Sequence, residues 1–332
     1  MPPPTLLLTR TDVEQLLDLP ACIDAVASGF RCVAAGGARS DVLGQAVDGG
    51  GFHAKLATLV DAAAGDAWFA AKLNANFPEN PRRHGLPTIQ GLLALFDAHT
   101  GTVAAVMDSA ALTVLRTAAA TGLAARYLAN PLAESVTIIG CGAQAGAQLA
   151  AVCAVRPIRR VTAFDVDEAA AQRFAVTAAE RLRLEGMAAP ALSAAACASE
   201  IIVTCTPSRQ PFLRPEHVRQ GTFIAAIGAD NEEKSEIHPE LMARAVVVVD
   251  NLRQSATIGD LHHALRAGAM QESDVRAELS QLIVDPSLAE YDPDRITVFD
   301  STGVAVEDVA AAVLVYARAC ERGVGRAIAL NT

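Results

Sequence analysis

From about residue 130 to 300 the chain predicts an α/β domain on a doubly wound parallel sheet, and residues 1 to about 125 predict a smaller α+β domain. Three observations carry this reading. Apolar runs alternate with alanine-rich helical stretches over 130–300, the pattern of strand–helix–strand units with right-handed crossovers. Those runs are continuously apolar, AVVVVD at 245–250 most plainly, as strands covered on both faces are. One of them, Val136 to Ile139, stops at glycine in the string VTIIGCGAQA, the strand–turn–helix entry of a Rossmann sheet.

The elements follow in order. Strands are expected at 136–140, 160–165, 201–205, 222–228, 245–250 and 296–300, with helices between them, for example at 167–184 and 240–244. Ahead of them, helices at 11–18 and 20–35 precede the extended segments GFHAKLATL, AWFAAKLNANF, TIQGLLALFD and TVAAVMD. Turn signals DGGG, AAGDA and DAHTG separate these segments, so an antiparallel sheet is expected. DAHTG suits a hairpin. A long alanine-rich helix at 111–129 links the domains, and a last helix at 305–320 returns to the first. The expected organisation is residues 1–125 plus 304–332 as a substrate-binding and dimerisation domain, with 126–303 as the dinucleotide domain. A second subunit covering the first domain's sheet would make a homodimer.

Composition bounds the function. The chain has 332 residues, 52% of them hydrophobic and 19% charged, which suits about two domains with large cores. A net charge of −10 works against nucleic acid and anionic lipid as partners. The start, MPPPTLLLTRTDVEQLL, lacks a signal-peptide pattern, and no apolar run reaches the roughly 20 residues of a membrane span. Seven cysteines, an odd number without any CxxC, read as small buried apolar residues in a reducing cytoplasm. Cys141 lies inside the glycine turn and is read the same way. The histidines have no ligand partners at useful spacing, so no metal is expected.

The glycine turn explains its own residues. Gly140 permits the tight turn, Gly142 lets the backbone approach a pyrophosphate, and small Ala145 lets helix and strand pack closely. Ala143 and Gln144 complete the loop whose N–H groups would meet the phosphates at the positive end of the helix. Asp165 ends the next strand, where an acidic residue accepts from an adenosine ribose. Asp165 with Asp167 would repel a 2′-phosphate, and no Arg or Lys intervenes before Arg173, which points to NAD. The competing reading is that Asp165 and Asp167 cap the following helix.

Four charged positions stand in apolar or small-residue settings: Lys55, Lys72, Arg116 and Asp230, the last followed by Lys234. Lys72 suits a substrate carboxylate as a point charge, against the alternative that strand alternation turns it to water. Arg116 suits a carboxylate or phosphate through its planar fork, against an ordinary interdomain ion pair. Asp230, just past a strand, is the candidate proton donor and acceptor, against capping or turn formation.

Taken together, KLNANFPENPRRHGLPTIQG, LLALFDAHTGTVAAVMD, LTVLRTAAATGLAARYLA, IIGCGAQA, AIGADNEEKSEIHPEL and FDSTGVAVEDVAAA resemble the ornithine cyclodeaminase/mu-crystallin family, in its order, over about 50–320. The resemblance implies a homodimer in which Lys72 and Arg116 bind the α-carboxylate of an amino or imino acid. It implies Asp230 as the acid/base residue, with Lys234 four residues on. Thr88 and Thr117 match cofactor-contacting positions, Ser301, Thr302 and Gly303 match the segment near the nicotinamide, and Thr204 is placed with the cofactor contacts.

Departures from the family refine the reaction. Cyclising members carry an arginine, then an acidic residue for the distal ammonium, before the Lys72 strand. Here the region reads VLGQAVDGGGFHAKLATL, with His53 and Lys55 instead. A cation there suits a second acid group or a small side chain better than an ω-ammonium. The expectation is an NAD-dependent amino-acid dehydrogenase or imine reductase. The alternatives are a redox-neutral ornithine cyclodeaminase and a non-catalytic binding protein, the latter disfavoured because Asp230 is retained.

Overall fold

The computed structural model describes residues 4–330. Residues 1–3 of the N-terminal stretch and 331–332 of the expected first domain lie outside the described residues. The chain divides into two units, Met1–Arg116 with Val304–Thr332, and Thr117–Gly303. The division falls within the long helix, nine residues before the boundary expected at 125, because a continuous helical pattern carries no signal of where one core ends.

In the first unit the chain forms β1 (Thr5–Leu8), α1 (Arg10–Leu16), α2 (Leu19–Ala34), β2 (Ala38–Val47), β3 (Gly50–Asp61), β4 (Asp66–Asn76), α3 (Asn80–His84), β5 (Ile89–Asp97) and β6 (Val103–Asp108). Helix α4 (Ser109–Leu128) carries it onward. The second unit contains β7 (Ser135–Ile139), α5 (Ala145–Val155), β8 (Arg160–Phe164), α6 (Glu168–Leu182), β9 (Glu185–Ala188), α7 (Leu192–Ala196), β10 (Ile201–Thr204), β11 (Phe223–Ala226), α8 (Pro239–Arg244), β12 (Val246–Val249), α9 (Leu252–Ser255), α10 (Gly259–Arg266), β13 (Ala277–Glu278), α11 (Leu279–Val284) and β14 (Thr297–Asp300). The chain then returns in α12 (Ala305–Arg322) and β15 (Arg326–Ile328).

The first unit's sheet has the order β15-β1-β6-β5-β4-β3-β2. It is mixed rather than purely antiparallel, because β1 runs parallel to β6. Asp48-Gly49 closes the β2–β3 hairpin, since Val47 pairs with Gly50 and Gly49 takes φ 79°. In the β5–β6 turn Asp97 accepts from the N–H groups of His99 and Thr100. Register assigns the two faces. The row Val42, Lys55, Lys72, Leu93, Met107 and Leu8 lies on one face, and its Leu8, Leu93 and Met107 are buried. Helix α12 packs against α2, β3 and β4. The row Leu43, Ala54, Leu73 and Leu92 lies on the opposite face, where the three leucines are 62%, 46% and 46% exposed.

The second unit's sheet has the order β13-β12-β14-β11-β10-β7-β8-β9 and every pairing is parallel. Its central strands are buried throughout, as their continuous apolar runs require. Ile202, Ile224, Val247 and Val298 pack with Leu241, Met242 and Leu261 from the covering helices.

Among the described residues no helix is long and apolar enough to cross a membrane, and no His, Cys, Asp and Glu group is arranged to hold a metal ion. All seven cysteines are free. The expectation that they are buried needs correction at Cys197 and Cys320, both exposed. Each follows an alanine-rich stretch, and local composition does not reveal which side of the chain faces water.

Candidate active site

In the second unit β7 leads into the glycine turn and α5. Gly140 has φ 92°, and a Cβ there would lie 2.7 Å from Thr206 Cγ2 and 2.9 Å from the Cys205 carbonyl. Only glycine meets both demands. A Cβ on Gly142 would meet nothing within 4 Å, so the backbone there borders open space. No side chain caps the N-terminus of α5; the Ala145 N–H donates to the Gly142 carbonyl, and the next N–H groups of the first turn remain for an anion. Ala145 is fully buried, as close helix–strand packing requires. Ala143 is exposed and Gln144 half-buried beside this opening.

Asp165 follows β8. One carboxylate oxygen accepts from the Cys141 N–H at 2.7 Å and the other from the Asp167 N–H at 2.9 Å. The Asp165 side chain therefore braces the glycine turn itself. Each oxygen keeps a second lone pair for a ribose hydroxyl. Asp167 caps α6 through the Ala169 N–H, as the competing reading expected of it. Burial, and then Asp165, push the Cys141 thiol up to about 12, so it holds its proton and is inert. This cradle fits a dinucleotide: an exposed glycine, an uncapped helix and an acidic strand end converge on one opening.

Asp230 lies in the loop beyond β11 and is exposed, paired with Lys234 Nζ at 2.7 Å. Its N–H donates to the Gly228 carbonyl. Six residues further along the chain is Glu236, which sequence reasoning missed. Glu236 is fully buried, and its two oxygens accept at 2.7 Å from the Thr204 hydroxyl, the Thr206 N–H and hydroxyl, and the Gly228 N–H. It thus ties the carboxyl ends of β10 and β11, where ligands bind in such sheets. Thr204, expected among the cofactor contacts, has a buried hydroxyl that donates to Glu236.

Three more carboxylates are fully shielded here. Asp260 accepts from Ser235 Oγ and the N–H groups of Glu236 and Ile237. Asp300 accepts from the N–H groups of Asp260 and Leu261. Asp250 accepts from the N–H groups of Asn251, Thr302 and Gly303 and from the Thr302 hydroxyl. Burial raises all four acids; their hydrogen bonds oppose it, while neighbouring carboxylates push Asp260 and Asp300 further up. The Ser301 and Thr302 hydroxyls donate to Asp250.

In the first unit Lys72, on β4, is buried with 3% exposure, which settles the alternation question against solvent. Its Nζ lies 2.8 Å from Asp308 and 3.3 Å from Thr113 Oγ1. Arg116, on α4, lies 2.7 Å from Glu307 through Nη1 and 2.8 Å from Asp308 through Nε. Glu307 and Asp308 occupy the first turn of α12, where the helix dipole favours negative charge. These Arg116 partners therefore belong to its own unit.

Burial lowers Lys72 and Arg116 adds to this, while Asp308 opposes both; the amine settles at about 7. Burial alone would raise Asp308, but Arg116, Lys72 and Lys55 hold it below the usual carboxylate range. One Asp308 oxygen is buried without a hydrogen bond. Lys55 lies directly opposite Lys72 across β3 and β4. Thr88 precedes β5 and offers its carbonyl to the Phe77 N–H; Thr117 is buried on α4 next to Arg116. The structure thus gathers Lys55, Lys72 and Arg116 in one unit, and the glycine turn, Asp165, Asp230 and Lys234 in the other.

The family model for the ornithine cyclodeaminase/mu-crystallin family matches residues 4–323. The chain belongs to the ornithine cyclodeaminase/mu-crystallin family. It is 38% identical to alanine dehydrogenase of Archaeoglobus fulgidus over 325 residues, covering 98% of each chain. It is similar in structure to an archaeal alanine dehydrogenase dimer with bound NAD, with a TM-score of 0.91, 37% identity and coverage of 98% and 99%. The Δ1-pyrroline-2-carboxylate reductase of Thermococcus litoralis, in complex with NADH and L-proline, aligns with a TM-score of 0.92 at 30% identity, covering 98% of this family member and all of that chain.

Proposed function

We propose that this family member is an NAD-dependent oxidoreductase acting at the C–N bond of a small α-amino acid or its imine. The observation that carries the reading is the Lys72–Arg116 pair, two buried cations seated against Glu307 and Asp308. Both cations converge on Asp308 at 2.8 Å, so their heads stand side by side, and an adjacent buried pair of this kind suits a bidentate α-carboxylate. The retained Asp230 supports catalysis over storage. The archaeal relatives named above, which bind NAD or NADH and act on alanine or pyrroline-2-carboxylate, support the chemistry.

A dinucleotide, when bound, would supply hydride chemistry at the α-carbon. The protein's residues do the rest. Gly142, Ala143 and Gln144 would present their N–H groups to the pyrophosphate, Gly140 and Ala145 would shape the turn, their own N–H groups being held by the Phe164 and Gly142 carbonyls, and Asp165 would receive the ribose hydroxyls. Lys72 and Arg116 fix the carboxylate and so the face of the α-carbon. Asp230 gives the nitrogen its proton in the reductive direction and takes it back in the other, with Lys234 holding its carboxylate in place. The apolar outer face of the first unit's sheet supports a homodimer, the state of the archaeal alanine dehydrogenase.

The test is NADH oxidation with 2-oxo acids plus ammonium and with cyclic imino acids. Consumption is expected with at least one of them, and Asp230→Asn should slow turnover by about a hundredfold or more. Failure with the whole panel would remove the reading. Proline formed from ornithine without net NADH would replace it with a cyclodeaminase.

A further inference from the structure

We infer that Asp308 is a positioning residue for the proposed reaction: its carboxylate sets Lys72 and Arg116 side by side and holds on the Lys72 amine the proton that grips the substrate carboxylate. This rests on the proposed chemistry and adds the residue on which the carboxylate clamp is built.

The geometry turns on one oxygen. Asp308 Oδ1 lies 2.8 Å from Lys72 Nζ and 2.8 Å from Arg116 Nε. Lys72 comes from β4, Arg116 from α4 and Asp308 from the first turn of α12, so three elements meet at that atom. All three side chains are 5% exposed or less. Glu307 takes Arg116 Nη1 at 2.7 Å, which fixes the guanidinium at a second point.

Packing gives no reason for an acid at this position. Its neighbours on α12, Ala305, Val306, Val309, Ala310, Ala311 and Ala312, are buried and apolar. The sheet row that holds Lys72 continues in Leu93, Met107 and Leu8, which are buried too. Well-packed apolar residues in place of a buried ion pair commonly give an equally stable or more stable fold. The Lys72–Asp308 pair therefore fits a task in the site better than a task in the core.

The charged groups around Lys72 act in opposite senses. Burial, Arg116 and Lys55, directly opposite on β3, lower its amine, and Asp308 raises it. Thr113, from α4, adds a neutral hydroxyl at 3.3 Å. Cys22, from α2, feels Glu307 and Arg116 but is pushed up to about 12, chiefly by burial, and stays neutral. Arg116, Lys72 and Lys55 in turn hold Asp308 ionised, so the dependence runs both ways. An amine at about 7 with this carboxylate beside it falls lower without it.

The experiment reads initial rates of NADH oxidation against pH on the full chain, with the best substrate of the panel. Asp308→Asn is nearly isosteric and keeps an oxygen for both cations, so it removes charge rather than shape. The alkaline fall in kcat/KM should move to lower pH by about one pH unit or more, with NADH affinity from fluorescence titration within about twofold of the parent's. In a Lys72→Arg background, where the cation keeps its proton, the same substitution should move nothing. Asp308→Glu keeps the charge but advances it by one methylene. It should leave the fall in place and raise KM for the substrate about tenfold, the share of one misplaced charge-assisted contact. That variant decides the matter should Asp308→Asn not fold. An unmoved fall in Asp308→Asn, or an equal shift in the Lys72→Arg background, overturns the inference and leaves the proposed chemistry standing. So does Asp308→Glu with the parent's KM. No NADH use by the parent chain with any substrate removes both.

Discussion

Lys72 shows at the scale of one residue what burial does to function. Its amine, lowered to about 7, loses its charge near neutrality, whereas Arg116 keeps its own. A protonated Lys72 is what grips a carboxylate, so kcat/KM for the reductive reaction should fall as pH rises past about 7. Lys72→Arg should push that fall to higher pH, read from a pH profile of initial rates. Stability runs the other way. Between about 7 and the ordinary 10.5 the unfolded chain binds the extra proton, so this group makes the fold gain stability as pH rises through that window. The residue type and its apolar setting were legible in the sequence. Its partners were not, because Asp308 lies 236 residues further along the chain.

At the scale of elements, the glycine turn and the strand ends were read well because their demands are local. Gly140 needs a left-handed φ and a close neighbour, and a β-branched run stopping at glycine announces both. Glu236 was not read. NEEKSE contains Glu232, Glu233 and Glu236, and only the last is buried. Nothing local distinguishes a carboxylate that will span two strand ends from one that will face water. Glu236→Gln supplies one oxygen where the clamp uses two, leaving an N–H or hydroxyl at β10 or β11 without its acceptor. We expect a loss of about 1–3 kcal/mol in urea unfolding. A kcat that falls more than NADH affinity does would follow, because the freed Gly228 N–H loosens the loop bearing Asp230. Unchanged unfolding would show that the clamp is dispensable.

For the whole molecule, the parallel sheet was legible from its repeated apolar runs, while the edges of the other sheet were not. β1 and β15 are too short to show a period, and β2 is a largely exposed, mixed-polarity edge strand. The same sheet carries the last consequence. Leu43, Leu73 and Leu92 form one row with Ala54 across four strands and remain about half exposed or more within the chain's own fold. Phe52 joins them on that face, 40% exposed. Burying each such side chain is worth about 1.5–3 kcal/mol, and a contiguous apolar face of this kind marks an interface. Covered by a second copy, the row repeats on both sides, so each substitution counts twice. Leu73→Glu with Leu92→Glu should therefore yield a monomer in sedimentation velocity where the parent chain sediments as a dimer. The leucines support no core within their own chain, so the circular dichroism spectrum should be preserved. A variant that still sediments as a dimer would move the interface to another face.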